Sequence, residues 1–336
     1  MRIMLSGTQI SNGNPEDLMS ALYVTDRLVD VIRAAGGKIY GDPRDPKNLK
    51  KAFRYTFMRY DEAAQKWVAD LNRMPVLNDA LRATCYIRRE KSQVLTDLPA
   101  LRRDTIELNL NGDLRKYRQA EEDMVRFLVE HGGEDALEGY YRAEVLVRMG
   151  TLKRLAGEAK INEAIAWVDD FLASRPDAQL VIFATHKSVQ HGLVEHLEEK
   201  GIKTVHINTG KGATDEGGPV DRFQKGEVQV AVCSLAAARE GITMTAADTL
   251  LMVEQGWTPM EADQAEARIH RPGQNADHTE VVSLLAADTF DEDLFAIIGK
   301  KRTVEALALR GEISEDQDEE SVTRQVITKM MERHGR

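Results

Sequence analysis

The spacing of apolar residues changes character near residue 179. Residues 179–184 (Q-L-V-I-F-A) form a short uninterrupted apolar run, the signature of a strand covered on both faces. Residues 186–200 then place Val189, Leu193 and Leu197 at i, i+4 and i+8, with Gly201 as a stop, which predicts a helix. The alternation continues with strands at 203–208, 228–233, 249–254 and 280–285. Between and after them the pattern predicts helices near 220–224, in the Ala-rich stretch after 233, at 261–271 and at 291–309. Strands alternating with helices in this way predict parallel βαβ units with right-handed crossovers. Residues 176–310 are therefore expected to be one doubly wound α/β lobe.

Upstream the text is helical. Residues 3–5 are apolar, Ser6-Gly7-Thr8 reads as a turn, and Pro15-Glu16-Asp17 is a helix start. A Gly/Pro-rich basic connector covers 36–50, and helical, basic sequence continues to about 103. Asp61-Glu62-Ala63-Ala64 falls in that region and reads as the solvated start of a helix. Residues 112–174 are helix-like throughout, with Gly132-Gly133 and Gly150 as expected breaks. The expected organisation is 1–103, a helical insertion over 104–175, the α/β lobe over 176–310, and an acidic tail with a short helix over 311–336.

Composition narrows the class. Of 336 residues 42% are apolar, and the mean hydropathy is -0.40. No apolar run reaches the ~18–20 residues of a membrane span, and the N-terminus lacks the features of a secretory signal. Two cysteines, Cys85 and Cys233, are too few and too distant for a disulfide framework or a thiolate zinc site. The expectation is a cytoplasmic, reduced protein with no metal ligands of its own and no membrane partner. The net charge of -10 does not exclude a nucleic-acid partner, because charge is distributed unevenly. Residues 311–320 (G-E-I-S-E-D-Q-D-E-E) carry six acids and no base, whereas 33–103 hold sixteen bases against eight acids.

Ligands of open parallel sheets gather at the carboxyl ends of the strands. At those ends the sequence places Thr185-His186-Lys187, Thr209-Gly210-Lys211, Ser234 with Arg239-Glu240-Gly241, and Gln255-Gly256-Trp257. Next comes Q-A-E-A-R-I-H-R-P-G-Q at 264–274. This edge is rich in hydroxyls, amides, glycines and bases, as a phosphate-binding surface would be. Gln264, Arg268 and Arg271 are spaced i, i+4 and i+7, so a continuous helix would present them on one face. Two guanidiniums converging at one point suit a polyphosphate whose charge spreads during phosphoryl transfer. The same spacing also describes an ordinary solvated helix face.

The run at 264–274 resembles motif VI of the Swi/Snf-type superfamily-two helicases. Residues 236–259 (A-A-A-R-E-G-I-T-M-T-A-A-D-T-L-L-M-V-E-Q-G-W-T-P) resemble motif V and the element after it, and V-I-F-A-T-H-K-S-V at 181–189 resembles motif IV. L-S-G-T-Q-I-S-N at 5–12 resembles motif III, and I-R-R-E-K with the later L-P, within 87–99, resembles the segment joining the two motor lobes. The order is the family's, and the likeness is strongest to its annealing-helicase branch. The resemblance implies a RecA-like second helicase lobe with a helix-rich N-terminal and insertion region. It implies catalytic roles for Arg268, Arg271 and Gln264, and ATP contacts for Gly241 and Glu240. It also implies DNA-backbone contacts for Ser6, Thr8, Thr185, His186, Lys187, Lys211, Ser234 and Arg239. ATP and magnesium are the implied cofactors, the magnesium held mainly by the other lobe.

Three departures stand out. The acid that precedes the first motif VI arginine is Ala267 here, which removes an expected orienting partner. Gln9 and Thr258 replace a proline and an asparagine. The sequence also holds no G-x-x-x-x-G-K-[ST] phosphate loop; T-G-K-G-A-T at 209–214 lacks its spacing. The expected function is thus a motor half that supplies arginine fingers and DNA contacts and needs a phosphate-loop lobe from another chain. The 336 residues alone are expected to hydrolyse little ATP. The alternative is a non-catalytic DNA-binding or regulatory module on the same fold.

Overall fold

The computed structural model describes residues 14–62, 66–87, 94–110, 114–132, 140–209, 212–310 and 322–335. Two compact units divide the chain. The first comprises 1–90, 258–260 and 296–322, and the second 91–257, 261–295 and 323–336.

The first unit is mainly helical: α1 (Asp17–Val24), α2 (Leu28–Ala34), α3 (Pro46–Phe57), a hairpin of β1 (Met58–Asp61) and β2 (Lys66–Ala69), and α4 (Met74–Thr84). Helix α3 starts where the side chain of Asp45 accepts the N–H of Lys47 and proline fills the first turn. Leu18, Val31, Ile32, Phe53, Phe57, Leu77 and Leu81 form its core. Asp61 ends strand β1 and pairs with Lys66 across the hairpin. The expected helix start is therefore a strand end at Asp61 and a turn at Glu62, while Ala63 and Ala64 lie outside the described residues. Tyr60 and Trp67, cross-strand partners with ring centroids 5.7 Å apart, favour the pleated alternative.

The second unit contains β3 (Ala100–Leu108), α5 (Arg115–Glu130), α6 (Arg142–Ala159), α7 (Ile161–Ser174), β4 (Leu180–Ala184), α8 (Lys187–Glu199), β5 (Thr204–Ile207) and α9 (Pro219–Gln224). It continues with β6 (Val230–Ser234), a 3-10 turn at Ala237–Glu240, β7 (Thr249–Met252), α10 (Pro259–Ile269) and β8 (His278–Ala286). The opening turn of α11 (Phe290–Arg310) and most of α12 (Val322–Arg333) complete it. The strands form one sheet of order β3-β8-β7-β4-β6-β5, every pairing parallel. This is a RecA-like α/β lobe. The period of two along β4 sends Val181 and Phe183 into one core, with Phe223 and Ile269. Leu180, Ile182 and Ala184 enter the other, against Val168, Leu193 and Leu197.

Five of the six strands lie where the apolar runs put them. The sixth, Ala100–Leu108, pairs with β8 over its whole length, although the sequence reads as helical and basic up to about 103. Gly150 is not a break: helix α6 runs through it, and the interruption comes at Lys160 instead. The ammonium of Lys160 is fully buried, donating to the carbonyl of Leu284 at 2.9 Å and to Asp291 at 2.6 Å. The ion pair ties the α6–α7 junction to the first turn of α11, and the carbonyl bond ties it to β8. Among the described residues no helix is long and apolar enough to cross a membrane.

Candidate phosphate and nucleic-acid site

Strand β4 lies between β6 and β7, and the chain crosses over it in passing from β6 to β7. The carboxyl ends of these three strands therefore frame a topological switch point, the place where doubly wound sheets bind ligands. The segments that leave these strands carry most of the expected site residues.

Arg268 and Arg271 come together here. Arg268 Nε donates to the carbonyl of Gln264, one turn back, at 2.9 Å, and its Nη1 donates to the carbonyl of Ile242 at 3.3 Å. Arg271 Nη1 donates to the same Ile242 oxygen at 3.2 Å and to the hydroxyl of Thr243 at 2.9 Å. The peptide N–H of Met244 donates to the carbonyl of Arg268 at 2.9 Å, zipping the two segments together. Among the described residues, every partner of the two guanidiniums is a neutral oxygen. Burial and the neighbouring charge of Arg271 both pull the pKa of Arg268 down. Two cations are thus held side by side with no counter-charge among their described partners, an arrangement whose chemistry suits an anion.

The route to this convergence differs from the helical expectation. Helix α10 ends at Ile269, not at 271, because a residue preceding proline, as Arg271 precedes Pro272, is driven out of the helical region. Arg271 reaches Ile242 from a turn, not from the helix face. Gln264 contributes its backbone carbonyl to Arg268, while its side-chain Oε1 is buried without a partner. The acid lost at Ala267 is not replaced by its neighbour. Glu266 turns to Arg103 on β3 and forms a two-pronged ion pair, with contacts of 3.1 and 2.6 Å. Backbone carbonyls take over the orienting of Arg268.

Gly241 ends the 3-10 turn with φ +76, the left-handed conformation that glycine tolerates. Glu240 beside it is exposed. Ser234 is engaged internally: its hydroxyl donates to Asn208 at 2.5 Å and accepts the N–H of Ala237 at 3.1 Å, capping the 3-10 turn. Arg239 is paired with Glu261, whose other oxygen accepts the N–H of Trp257 at 2.7 Å. Lys187 is exposed at the first turn of α8. The hydroxyl of Thr185 is buried without a partner. Ser6, Thr8 and Lys211 lie outside the described residues.

Sequence reasoning missed Glu254. This buried carboxylate accepts the N–H groups of Thr185 at 2.8 Å and His186 at 2.9 Å, while its other oxygen meets His186 Nδ1 at 2.5 Å. Burial works to raise its pKa, but the His186 ring and N–H and the charge of Lys160 prevail and hold it below the usual carboxylate range. Helix α6 passes close because position 157 is glycine; a Cβ there would stand 2.5 Å from Glu254 Oε1. Lys153, one turn earlier on α6, lies 4.8 Å above the ring of Trp257. Its ammonium is buried without a hydrogen-bond partner, and burial lowers its pKa to about 8 against the pull of Glu254, Glu261 and Asp291. The only sequence cue to Glu254 is its position, a lone acid ending the apolar run L-L-M-V-E.

A model of the helicase conserved C-terminal domain matches residues 163–273, which include β4 to β7 and both arginines. The SWI/SNF-related matrix-associated actin-dependent regulator of chromatin subfamily A-like protein 1 of Xenopus tropicalis is 30% identical over 251 residues, 73% of this chain and 26% of the relative.

The chain belongs to the Swi/Snf-type superfamily-two helicases.

It corresponds to their C-terminal half, near the annealing-helicase branch. The human DNA annealing helicase and endonuclease ZRANB3 is 26% identical over 323 residues, covering 95% of this chain and 28% of that protein. The chain thus spans about a quarter of the length of the curated relatives it matches. Among solved structures, the Sulfolobus solfataricus SWI2/SNF2 ATPase core in complex with dsDNA has 18% identity and a TM-score of 0.49, covering 70% of this chain and 52% of that one.

Proposed function

We propose that this Swi/Snf-type region is the part of an ATP-driven DNA translocase that supplies arginine fingers and DNA-backbone contacts. Arg268 and Arg271 would face the triphosphate across a cleft from a phosphate-loop lobe outside these 336 residues. The observation that carries this reading is the convergence of both guanidiniums on Ile242 without a carboxylate among their described partners. A bound ATP γ-phosphate would complete their hydrogen bonding and neutralise their charge. ATP supplies the phosphoryl group, and the two arginines stabilise the charge that spreads over its oxygens during transfer.

Gly241 offers close backbone approach to the nucleotide, and Glu240, an acceptor only, suits a sugar hydroxyl. Among the described residues no group of three His, Cys, Asp or Glu could hold a metal. Magnesium at a nucleotide needs only one or two carboxylates beside the phosphates, and the ion is assigned mainly to the phosphate-loop lobe. Lys187 leads the DNA contact of this lobe, with Thr185 beside it through a hydroxyl that is buried until DNA binds. Ser6, Thr8 and Lys211 are assigned to DNA by the resemblance alone. His186, Ser234 and Arg239 shape the same edge from within through their own partners.

The test is DNA-stimulated ATP hydrolysis with and without an added phosphate-loop lobe. The expected result is negligible turnover alone and substantial turnover with the lobe. Arg271→Ala is expected to lower that turnover about 10³-fold or more while duplex binding is kept. Robust hydrolysis by the 336 residues alone, or a complemented rate indifferent to Arg271→Ala, overturns the proposal. The second result favours a non-catalytic DNA-binding module.

A further inference from the structure

The first unit carries a second concentration of chemistry that the arginine site does not use. After α2 the chain passes Gly36-Gly37 and runs beside α3, so close that a Cβ on residue 37 would meet Thr56 Oγ1 at 2.2 Å. Ile39 packs against the core, and its two neighbours Lys38 and Tyr40 are exposed. Helix α3 contributes Asn48, Lys51, Ala52 and Tyr55 to the same place, spaced three and four apart on one face. Together these residues line a pocket of about 300 Å³. Tyr40 is 76% and Tyr55 68% exposed. The Tyr55 ring is held edge-on by Trp67 at 5.0 Å.

The charges are uncompensated. Among the described residues neither Lys38 nor Lys51 has an ion-pair partner. Asp42 accepts the N–H of Arg44 and Asp45 that of Lys47, both at 2.9 Å, and neither carboxylate is ion-paired with Lys38 or Lys51. Asn48 donates its amide N–H to the carbonyl of Asp42 at 3.2 Å. Two phenol faces, two unpaired ammoniums and an amide in a pocket at the small end of ligand sites fit one nucleotide of a longer strand. The rings suit a base, the lysines suit the flanking phosphates, and the openness of both tyrosines suits a ligand that enters and leaves along a chain. A duplex cannot use such rings, because its bases are already stacked.

We infer that Lys38, Tyr40, Asn48, Lys51 and Tyr55 form a single-strand subsite, in which an unpaired base stacks on tyrosine and the lysines hold its phosphates. The inference rests on this unit alone and not on the arginine pair, so its failure leaves the arginine reading untouched.

The test uses the whole chain and fluorescence anisotropy with a short labelled oligothymidylate, a duplex of the same length, and thymidine monophosphate as competitor. Tyr40→Ala and Tyr55→Ala are each expected to weaken oligothymidylate binding about ten-fold, while Tyr40→Phe stays within about two-fold. Duplex affinity is expected to be the same in all three. Lys38→Gln with Lys51→Gln is expected to flatten the salt dependence by about 1.4 in log–log slope. Lys38, Tyr40, Lys51 and Tyr55 are exposed, so their variants are expected to fold, which unchanged melting checks. Photocrosslinking of an iodouracil-bearing strand is expected to label Tyr40 or Tyr55. Single-strand affinity indifferent to both alanine variants overturns the inference, as does crosslinking confined to other residues. Competition by the mononucleotide at equal affinity also overturns it, since the pocket would then be a free-nucleotide site.

Discussion

Lys153 places a buried ammonium 4.8 Å above the indole ring of Trp257, with no hydrogen-bond partner. The ring face offers only partial compensation for a charge taken from water. Lysine at this position therefore opposes folding while it is protonated. Its folded pKa of about 8 lies below the ordinary 10.5, so between those values the unfolded chain holds a proton that the folded chain has released. Stability rises with pH across that window. Lys153→Met is expected to be more stable than the parent at pH 7. The gap is expected to narrow by on the order of 3 kcal/mol as pH climbs through the window. Urea midpoints of the two proteins at matched pH measure this, and taking their difference cancels the other titrating groups. A gap independent of pH would contradict the buried charge.

Gly157 and Glu254 make an opposite test. Alanine for glycine inside an exposed helix usually stabilises by about 1 kcal/mol. Here the added methyl would meet Glu254 Oε1 at 2.5 Å, and the carboxylate would have to leave the N–H groups of Thr185 and His186. Gly157→Ala is expected to destabilise by about 1–3 kcal/mol. Glu254→Gln is expected to cost a similar amount, because the charge-assisted contact with the His186 ring is lost and that ring must adopt the tautomer that accepts at Nδ1. In a double-mutant cycle the two effects should be clearly less than additive. Additive losses would mean that the helix and the carboxylate act independently.

The ion pair at Lys160 predicts an asymmetry. Asp291→Asn strands a fully buried ammonium and is expected to cost about 3–5 kcal/mol, whereas replacing both partners with apolar residues of similar volume recovers most of that loss. Thermal melts of the single and double variants decide between this and a pair of independent surface-like contributions.

For the arginine pair, tripolyphosphate reports on the anion locus without any chemistry. The parent chain is expected to bind it, and Arg268→Ala or Arg271→Ala to weaken binding by about 1.5–3 kcal/mol each. Lysine at either position should not restore it, because an ammonium lacks the planar fork that bonds two oxygens at once. Calorimetry showing equal affinity in all variants would remove the anion locus.

Strands β4 to β8 are legible in the sequence because they are covered on both faces and read as apolar runs, as in L-V-I-F-A and V-A-V-C-S. Ala100–Leu108 is not: as an edge strand it carries Arg102, Arg103, Asp104 and Glu107, whose charges hide the strand pattern. Gly150 reads as a stop because isolated glycine weakens a helix, but tertiary packing of Met149 and Leu152 carries α6 through it. An ideal helical repeat anticipates the convergence of Arg268 and Arg271, whereas Arg271 arrives by way of a turn. Glu254 is invisible for a different reason. Its partners Thr185 and His186 offer backbone N–H groups, and no side-chain identity announces those.

The edge strand Ala100–Leu108 and its partner His278–Ala286 both lie outside the stretch matched by the helicase C-terminal model. A recombinant fragment trimmed to that stretch would leave the Thr249–Met252 strand with an open hydrogen-bonding side in the middle of a severed sheet. Such a product would be prone to self-association through that bare margin, a hazard that intact architecture closes off. Boundaries for expression are better drawn from strand pairing than from the extent of recognisable motifs.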